Sequence, residues 1–309
     1  MLAGMQVFDD FDAWGDAVRG ADLRLVCDAV EVRSWRLATR LLGRVVIQTA
    51  FEGGGNLCFG GNAHAGPLLF LPVTHFEQHV VNCEPLGQDG VLLIPPGADF
   101  RIRVQRRAHA WCSVALPADF PLYANAPSSG QGPSRVIRCG PHAAGRLREL
   151  VTRLAVDPAV AAPSTPAQEA ACGAILQAAA ACLSAPAAEP KRGGRPQLDR
   201  GAIIRAALGH LEENWCGRPS VAALADTCGV TERTLARAFH DTYGISPLAY
   251  VNLRLLHRVR RSLHATQHDD TTVSQVLTAH GIWDFGRFAA RYRRQFGEPP
   301  SATLHRCRG

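Results

Sequence analysis

Residues 220–247 read SVAALADTCGVTERTLARAFHDTYGISP, and residues 272–300 read TVSQVLTAHGIWDFGRFAARYRRQFGEPP. The two are copies of one pattern. Set 52 residues apart, Val221 falls on Val273, Leu224 on Val276, Gly229 on Gly281 and Val230 on Ile282. One extra residue in the second copy then shifts the offset, so that Leu235 falls on Phe288, Phe239 on Tyr292, Tyr243 on Phe296, Gly244 on Gly297 and Pro247 on Pro300. Two glycines and a proline kept in step with apolar partners between them mark an internal duplication. Each copy makes physical sense as a helix-turn-helix. In the first, Ser220 caps a helix over 221–228 with Leu224 and Ala225 facing inward. Gly229 supplies the positive φ of the tight turn, and Thr231 caps a second helix over 232–242 whose Leu235, Ala238 and Phe239 face the core.

This arrangement leaves Thr231, Arg233, Thr234, Ala236 and Arg237 at the outer, N-terminal end of the second helix, where a recognition helix meets base edges. Arginine suits that place because its fork matches guanine O6 and N7. The second copy predicts helices over 273–280 and 284–295 around Gly281, with Phe288 and Tyr292 in the core. Its groove-facing candidates are Asp284, Phe285, Gly286, Arg287, Ala290 and Arg291. Ser220, Arg293 and Arg294 are assigned to phosphates, contacts that position a protein without reading sequence. Between the copies, Ser246 and Pro247 open a helix to about His264. Its 18 or so residues span roughly 27 Å, a rigid spacer able to hold two recognition helices about one DNA turn (~34 Å) apart. A pair of solvent-exposed helices with ordinary charges is the competing reading, and the repeat together with the charge weighs against it.

The charge is placed to match. The 309 residues carry 33 Lys+Arg and 27 Asp+Glu, a net charge of +6. Residues 191–309 hold 18 basic and 10 acidic side chains, so a basic C-terminal third follows a near-neutral body. That asymmetry fits one module built to meet a polyanion. The linker is placed at 186–200, where Pro186, Pro190 and Pro196 surround the run Lys191-Arg192-Gly193-Gly194-Arg195 and apolar periodicity lapses. With 47% apolar and 19% charged residues the chain is globular. Its apolar runs fall far short of the ~20 residues of a membrane span, and the N-terminus lacks a basic segment followed by an apolar one. The expectation is a cytoplasmic protein with no membrane partner. Ten cysteines, none two to four residues from another, read as reduced thiols, with neither metal nor cofactor expected.

Residues 1–185 read differently. Phe11, Trp14, Ala17 and Val18 have helical spacing. From about 20 to 117, short runs at 23–27, 30–35, 44–49, 68–73, 77–81, 91–94, 100–104 and 111–116 alternate with turn signals. Among those signals are Gly53-Gly54-Gly55, Gly60-Gly61-Asn62 and Pro95-Pro96-Gly97. This predicts an antiparallel sandwich or barrel. Residues 118–135 read as loop. Two helices follow within 140–184: one carries Leu147, Leu150, Val151 and Leu154 on a face. The other opens at Thr165-Pro166-Ala167-Gln168 with Thr165 as cap and Gln168 placed to reach back. Their apolar faces need covering, by the β-domain or by a second subunit. The whole is an α+β two-domain chain: a β-barrel-like domain with two accessory helices, then an all-α double helix-turn-helix over 201–309, with units at about 220–243 and 272–296.

Ala225, Gly229, Leu235, Phe239, Tyr243-Gly244-Ile245-Ser246-Pro247 and Tyr250, then Gly281, Phe288, Phe296-Gly297 and Pro300, carry a resemblance. From about 205 to 306 the chain resembles the DNA-binding domain of the AraC/XylS family of bacterial transcription regulators. More loosely, the first two thirds resembles that family's cupin-like regulatory domain, in the branch that opens with a Phe/Trp helix, here Phe11-Asp12-Ala13-Trp14. The resemblance implies double-stranded promoter DNA and RNA polymerase as partners, homodimers, and an activator controlled by a small organic effector or by dimerisation. An effector would enter the β-domain and stack on Trp35 or Trp111. A repressor whose β-domain binds no ligand is the alternative. The chain departs from the family pattern at Leu277, where a small alanine is usual, at Pro299, where Ser or Thr caps the last helix, and at Thr303, where an aromatic is usual. With Phe285 and Gly286 on its groove face, the second unit has few side chains able to hydrogen-bond a base. The first unit is therefore expected to carry most of the sequence specificity.

An enzyme fits less well. A catalytic cupin holds its metal with two histidines one residue apart, and no such pair occurs. His75 and His79, four residues apart on a strand, would sit about 13 Å from each other. His64, His75, His79 and His109 are read as satisfied or surface residues. There is no Gly-x-Ser-x-Gly elbow, P-loop or Gly-x-Gly-x-x-Gly fingerprint.

Overall fold

The computed structural model describes residues 4–121, 133–163, 165–184, 200–213, 215, 219–266 and 271–306. The linker expected at 186–200 lies outside them except for Arg200. The chain divides into two units, one made of residues 1–27 and 31–191, the other of residues 28–30 and 192–309.

The strands of the first unit are β1 (Met5–Phe8), β2 (Ala21–Val30), β3 (Trp35–Leu42), β4 (Val45–Glu52), β5 (Gly54–Asn62), β6 (Leu68–Pro72), β7 (Val80–Val81), β8 (Glu84–Pro85), β9 (Gly90–Ile94), β10 (Asp99–Val104), β11 (His109–Ala115) and β12 (Arg135–Arg138). They form two sheets. One has seven strands in the order β1-β3-β4-β11-β6-β9-β12, antiparallel at every pairing. The other has five, in the order β2-β5-β10-β7-β8. The domain is thus a sandwich and does not close into a barrel.

Helices α1 (Phe11–Ala17), α2 (Pro141–Leu154) and α3 (Pro166–Leu183) complete the unit. Strand alternation sends successive side chains to opposite faces, and the centre of the seven-stranded sheet is buried on both. Cys112 and Val114 of β11 join Leu147 and Val151 of α2 and Ile175 and Ala179 of α3 in one core. Trp111 and Ser113 of the same strand turn toward the five-stranded sheet and line a cavity. The inward faces of α2 and α3 are therefore covered by the chain's own sheet. Thr165 caps α3 as expected, accepting from the Gln168 amide (3.2 Å), and the buried Gln168 side chain donates to the Leu41 carbonyl (3.1 Å), tying helix to sheet.

Several local expectations fail for identifiable reasons. The glycines at 54–55 and 60–61 belong to the interior of β5 rather than to turns. Gly55 and Gly60 serve close approach: a Cβ on Gly55 would stand 2.2 Å from the Arg106 amide nitrogen, and one on Gly60 2.5 Å from the Phe100 ring. Residues 31–34 form the connection between β2 and β3 where a strand was expected at 30–35. At 77–81, a single 3-10 turn (Phe76–Gln78) precedes the two-residue β7. The segment 118–135 ends in β12, which adds Ile137 to the core.

From residue 200 on, the elements of the second unit among the described residues are helices: α4 (Arg200–Glu213), α5 (Val221–Thr227), α6 (Glu232–Tyr243), α7 (Pro247–His264), α8 (Val273–Ala279), α9 (Phe285–Phe296) and α10 (Pro300–Arg306).

Candidate nucleic-acid interface and ligand cavity

Helices α5 and α6 form the first helix-turn-helix. Ser220 Oγ accepts from the Ala223 amide (3.1 Å), Gly229 makes the turn at φ 63°, and Thr231 Oγ1 accepts from the Thr234 amide (3.2 Å). The Thr231 and Thr234 hydroxyls also lie 2.9 Å apart, so both are engaged in starting α6. Leu235, Ala238, Phe239 and Tyr243 are buried, which leaves Arg233, Ala236 and Arg237 exposed on the opposite face. Arg237 reaches Asp241, one turn on, only at 3.8 Å, and Asp241 is held more closely by Arg200 (3.1 Å). The Arg237 side chain is 75% exposed.

Helices α8 and α9 form the second. Here the first helix opens with a capping box: Thr272 Oγ1 accepts from the Gln275 amide while Gln275 Oε1 accepts from the Thr272 amide. Gly281 turns at φ 69°, and Asp284 Oδ1 caps α9 through the Arg287 amide (3.1 Å). Phe288, Tyr292 and Phe296 are buried. Phe285, Gly286, Arg287, Ala290, Arg293 and Arg294 are exposed, and Arg291 is half-buried. Sequence reading missed Trp283. It stands between the turn glycine and the capping aspartate and is 76% exposed, the most open large apolar side chain among the described residues. With Leu248 of α7 and Arg287 and Ala290 of α9 it borders an open groove of about 710 Å³. An indole at an outward turn position was visible in the sequence as a residue the helical core does not need.

The 18-residue α7 joins the units and is capped by Ser246 through the Ala249 amide (3.2 Å). The units fasten to it by different chemistry. Tyr250 of α7 stacks on Tyr243 (5.0 Å between ring centres) and meets Phe239 edge-on (5.4 Å). In the second unit, buried Arg260 of α7 pairs with buried Glu298 (3.1 Å) and lies over the Phe296 ring (4.7 Å). Thr303, fully buried where an aromatic was the family expectation, donates to Glu298 (2.8 Å) and lies 2.9 Å from the Tyr292 hydroxyl. Arg306 closes on the second Glu298 oxygen. Burial pushes the Tyr292 phenol up to about 12, so it stays protonated. Leu277, another departure from the family pattern, is buried in the same unit's core.

In the first unit, a cavity of about 50 Å³ lies between the two sheets. Trp111 lines it. Trp35 does not; it is buried against Phe11, edge to face. At one end, Glu52, Asn56, His109 and Trp111 form a polar cluster that sequence reading did not find. Glu52 Oε1 accepts from the Trp111 indole (2.6 Å) and the Asn56 amide (3.2 Å), and His109 Nε2 lies 3.4 Å away. Burial alone would lower the His109 pKa, but the Glu52 carboxylate and carbonyl contacts at Arg107 and Gly54 outweigh it and raise it. His79, edge-on to His109 at 5.1 Å, is pushed down to about 3 by burial and by that neighbour, so it is neutral. Among the described residues no group of three or more His, Cys, Asp or Glu is arranged to hold a metal.

Residues 224–306 match the helix-turn-helix domain family. A XylDLEGF operon transcriptional activator of Pseudomonas putida is 30% identical over 115 residues, 37% of this chain and 34% of its own length. A probable thc operon regulatory protein of Rhodococcus erythropolis is 30% identical over 151 residues, 49% of this chain and 43% of its own. The chain thus spans less than half the length of these curated relatives. Among solved structures, a probable AraC family transcriptional regulator from Rhodopseudomonas palustris is 32% identical over 35% of this chain and 98% of its own, with a TM-score of 0.32.

Proposed function

From a C-terminal domain that belongs to the AraC/XylS family of helix-turn-helix regulators, we propose that this protein is a sequence-specific DNA-binding transcription activator of the bacterial cytoplasm, controlled by its β-domain. One observation carries the reading. Two capped recognition helices, α6 and α9, each present arginines on an exposed face and are fastened to one continuous 18-residue helix. A rigid spacer between two readers is what binding to two nearby major-groove segments requires. Arg233 and Arg237 read base edges from the first unit. Arg287, with Phe285, Gly286 and Ala290, meets the groove from the second, and Arg293 and Arg294 hold phosphates. Ser220, Thr231 and Asp284 serve first as caps and the Thr234 hydroxyl is engaged with Thr231, so their part in the interface is to aim amides and helix ends at the backbone.

Promoter DNA is the partner, RNA polymerase is what the bound protein recruits, and the working form is a homodimer. The cavity between the sheets is the effector site, with Trp111 in its wall and Trp35 outside it. Genome-wide footprinting of the tagged protein, with a salt titration on the best site, tests the reading. The expected result is sharp peaks that share two half-elements about one turn apart, and a promoter fusion that loses expression when the gene is deleted. Broad occupancy without a motif, vanishing as salt rises, would mean that phosphate contacts alone drive binding.

A further inference from the structure

The polar end of the cavity is unfinished. Glu52 is 2% exposed and Asn56 5%. Glu52 Oε1 takes hydrogen bonds from two side chains and faces His109, while Glu52 Oε2 and Asn56 Oδ1 have no hydrogen-bond partner. Both orphaned atoms are acceptors. A buried acceptor left without a donor is costly, and two in one cluster need donors from something the chain itself does not supply. Elsewhere the wall is mostly apolar, from Phe70, Ile94, Phe100 and Ile102 to the half-buried Val18, Ala21, Leu23 and Leu25, with Arg19, Gln48 and Ser113 as its other polar residues.

We infer that this cavity takes a small amphiphilic molecule with a hydrogen-bond-donating head, a primary amine in the first instance, and that Glu52 and Asn56 select it against a carboxylate. The head sits between Glu52 Oε2 and Asn56 Oδ1, satisfying both. The volume of about 50 Å³ is a third of the ~150 Å³ that an engineered cavity needed for benzene. The buried end therefore admits a head group of a few heavy atoms, and the apolar body leads away past Leu23 and Leu25. A ligand carboxylate would set its own charge against Glu52. The inference rests on the cavity being the effector site, and it is independent of whether the second unit binds DNA.

Isobutylamine, isobutanol and isobutyrate share one carbon skeleton and differ in the head. Titrated into the full chain while thermal unfolding is followed, the amine raises the midpoint in a concentration-dependent way, the alcohol raises it less, and the acid leaves it unchanged. Glu52→Gln, which keeps the shape and removes the charge, weakens the amine about 10- to 100-fold and the alcohol less. If Glu52→Gln does not fold, the Trp111 indole N–H resonance of the wild type reports on the same carboxylate: the amine shifts it and the acid does not. Stabilisation by the acid but not the amine would overturn the donor-head inference while leaving an effector site in place. No response to any of the three would overturn both and leave ordered water as the partner of the orphaned oxygens. Amine binding untouched by Glu52→Gln, with the indole resonance unmoved, would place the head elsewhere and also overturn it.

Discussion

The two helix-turn-helix units descend from one pattern and have diverged at both of their surfaces. On the inside, the first is fastened to α7 by three aromatic rings, Phe239, Tyr243 and Tyr250, while the second uses a buried ionic network of Arg260, Glu298, Thr303 and Tyr292. On the outside, the first shows Arg233 and Arg237 near the start of its recognition helix, while the second shows Trp283, Phe285 and Gly286 there. The differences run in opposite directions. The unit with the aromatic interior has the polar reading face, and the unit with the charged interior has the more apolar one. A helix-turn-helix constrains where its core and its reading face lie, but not the chemistry used at either.

The interior difference predicts the largest effect. Glu298→Ala leaves Arg260 buried without this carboxylate and is expected to cost about 3–5 kcal/mol, read as a lower urea midpoint for the C-terminal domain. Replacing both partners, Arg260→Met with Glu298→Leu, should recover most of that loss, because the desolvation cost disappears along with the attraction. In the first unit Phe239→Leu, which trims a buried ring but strands no charge, should cost less, about 1–2 kcal/mol. If the double variant proves as unstable as the single, the network does more than neutralise a buried charge, and the contrast with the aromatic unit is smaller than drawn.

The reading faces differ by a smaller amount. Arg237→Ala should lose about 1–3 kcal/mol of discrimination between operator and random DNA, and Arg287→Ala clearly less. A competition titration with both duplexes measures each. Equal losses would show that the apolar neighbours of Arg287 do not weaken its reading and would restore parity between the units. Arg293→Ala and Arg294→Ala sharpen the point from the other side. Each should lower the slope of log affinity against log salt by about 1 and leave the ratio of operator to random binding unchanged.

These contrasts were partly legible in the sequence. The caps at Ser220, Thr231 and Ser246, the turns at Gly229 and Gly281 and the buried stripe Leu235-Ala238-Phe239 are local signals, fixed by neighbours within a few residues, and they fall where the pattern put them. The capping box at Thr272 and Gln275 was equally local and went unread. The ionic network was not legible, because Arg260, Glu298 and Thr303 meet only once α7, α9 and α10 have packed. Thr303 looked like a lost aromatic, and its hydroxyl turns out to bond Glu298. The cavity was harder still. Glu52 stands opposite His109 only in the β4–β11 register, and a strand's inward face depends on pairings across the sheet that no short window of sequence contains. For the same reason Trp35 and Trp111 looked alike as aromatic residues near strands, yet only Trp111 reaches the cavity.

The smallest effect separates the turn of one unit from the reading face of the other, through glycine alone. Gly229 holds φ 63°, a conformation that costs any residue with a Cβ, so Gly229→Ala should destabilise by about 1 kcal/mol. Gly286 sits inside α9 at ordinary helical angles, and a Cβ there would meet nothing within 4 Å. Gly286→Ala should therefore stabilise by about 0.5–1 kcal/mol. A helix that forgoes this gain has a use for the missing side chain, and on an exposed face beside Phe285 that use is close approach of the helix backbone to DNA. If Gly286→Ala raises stability and lowers operator affinity together, the second unit reads its site by fit. If affinity is unchanged, the glycine is idle and the apolar contacts of Trp283 and Phe285 carry the unit's share of binding.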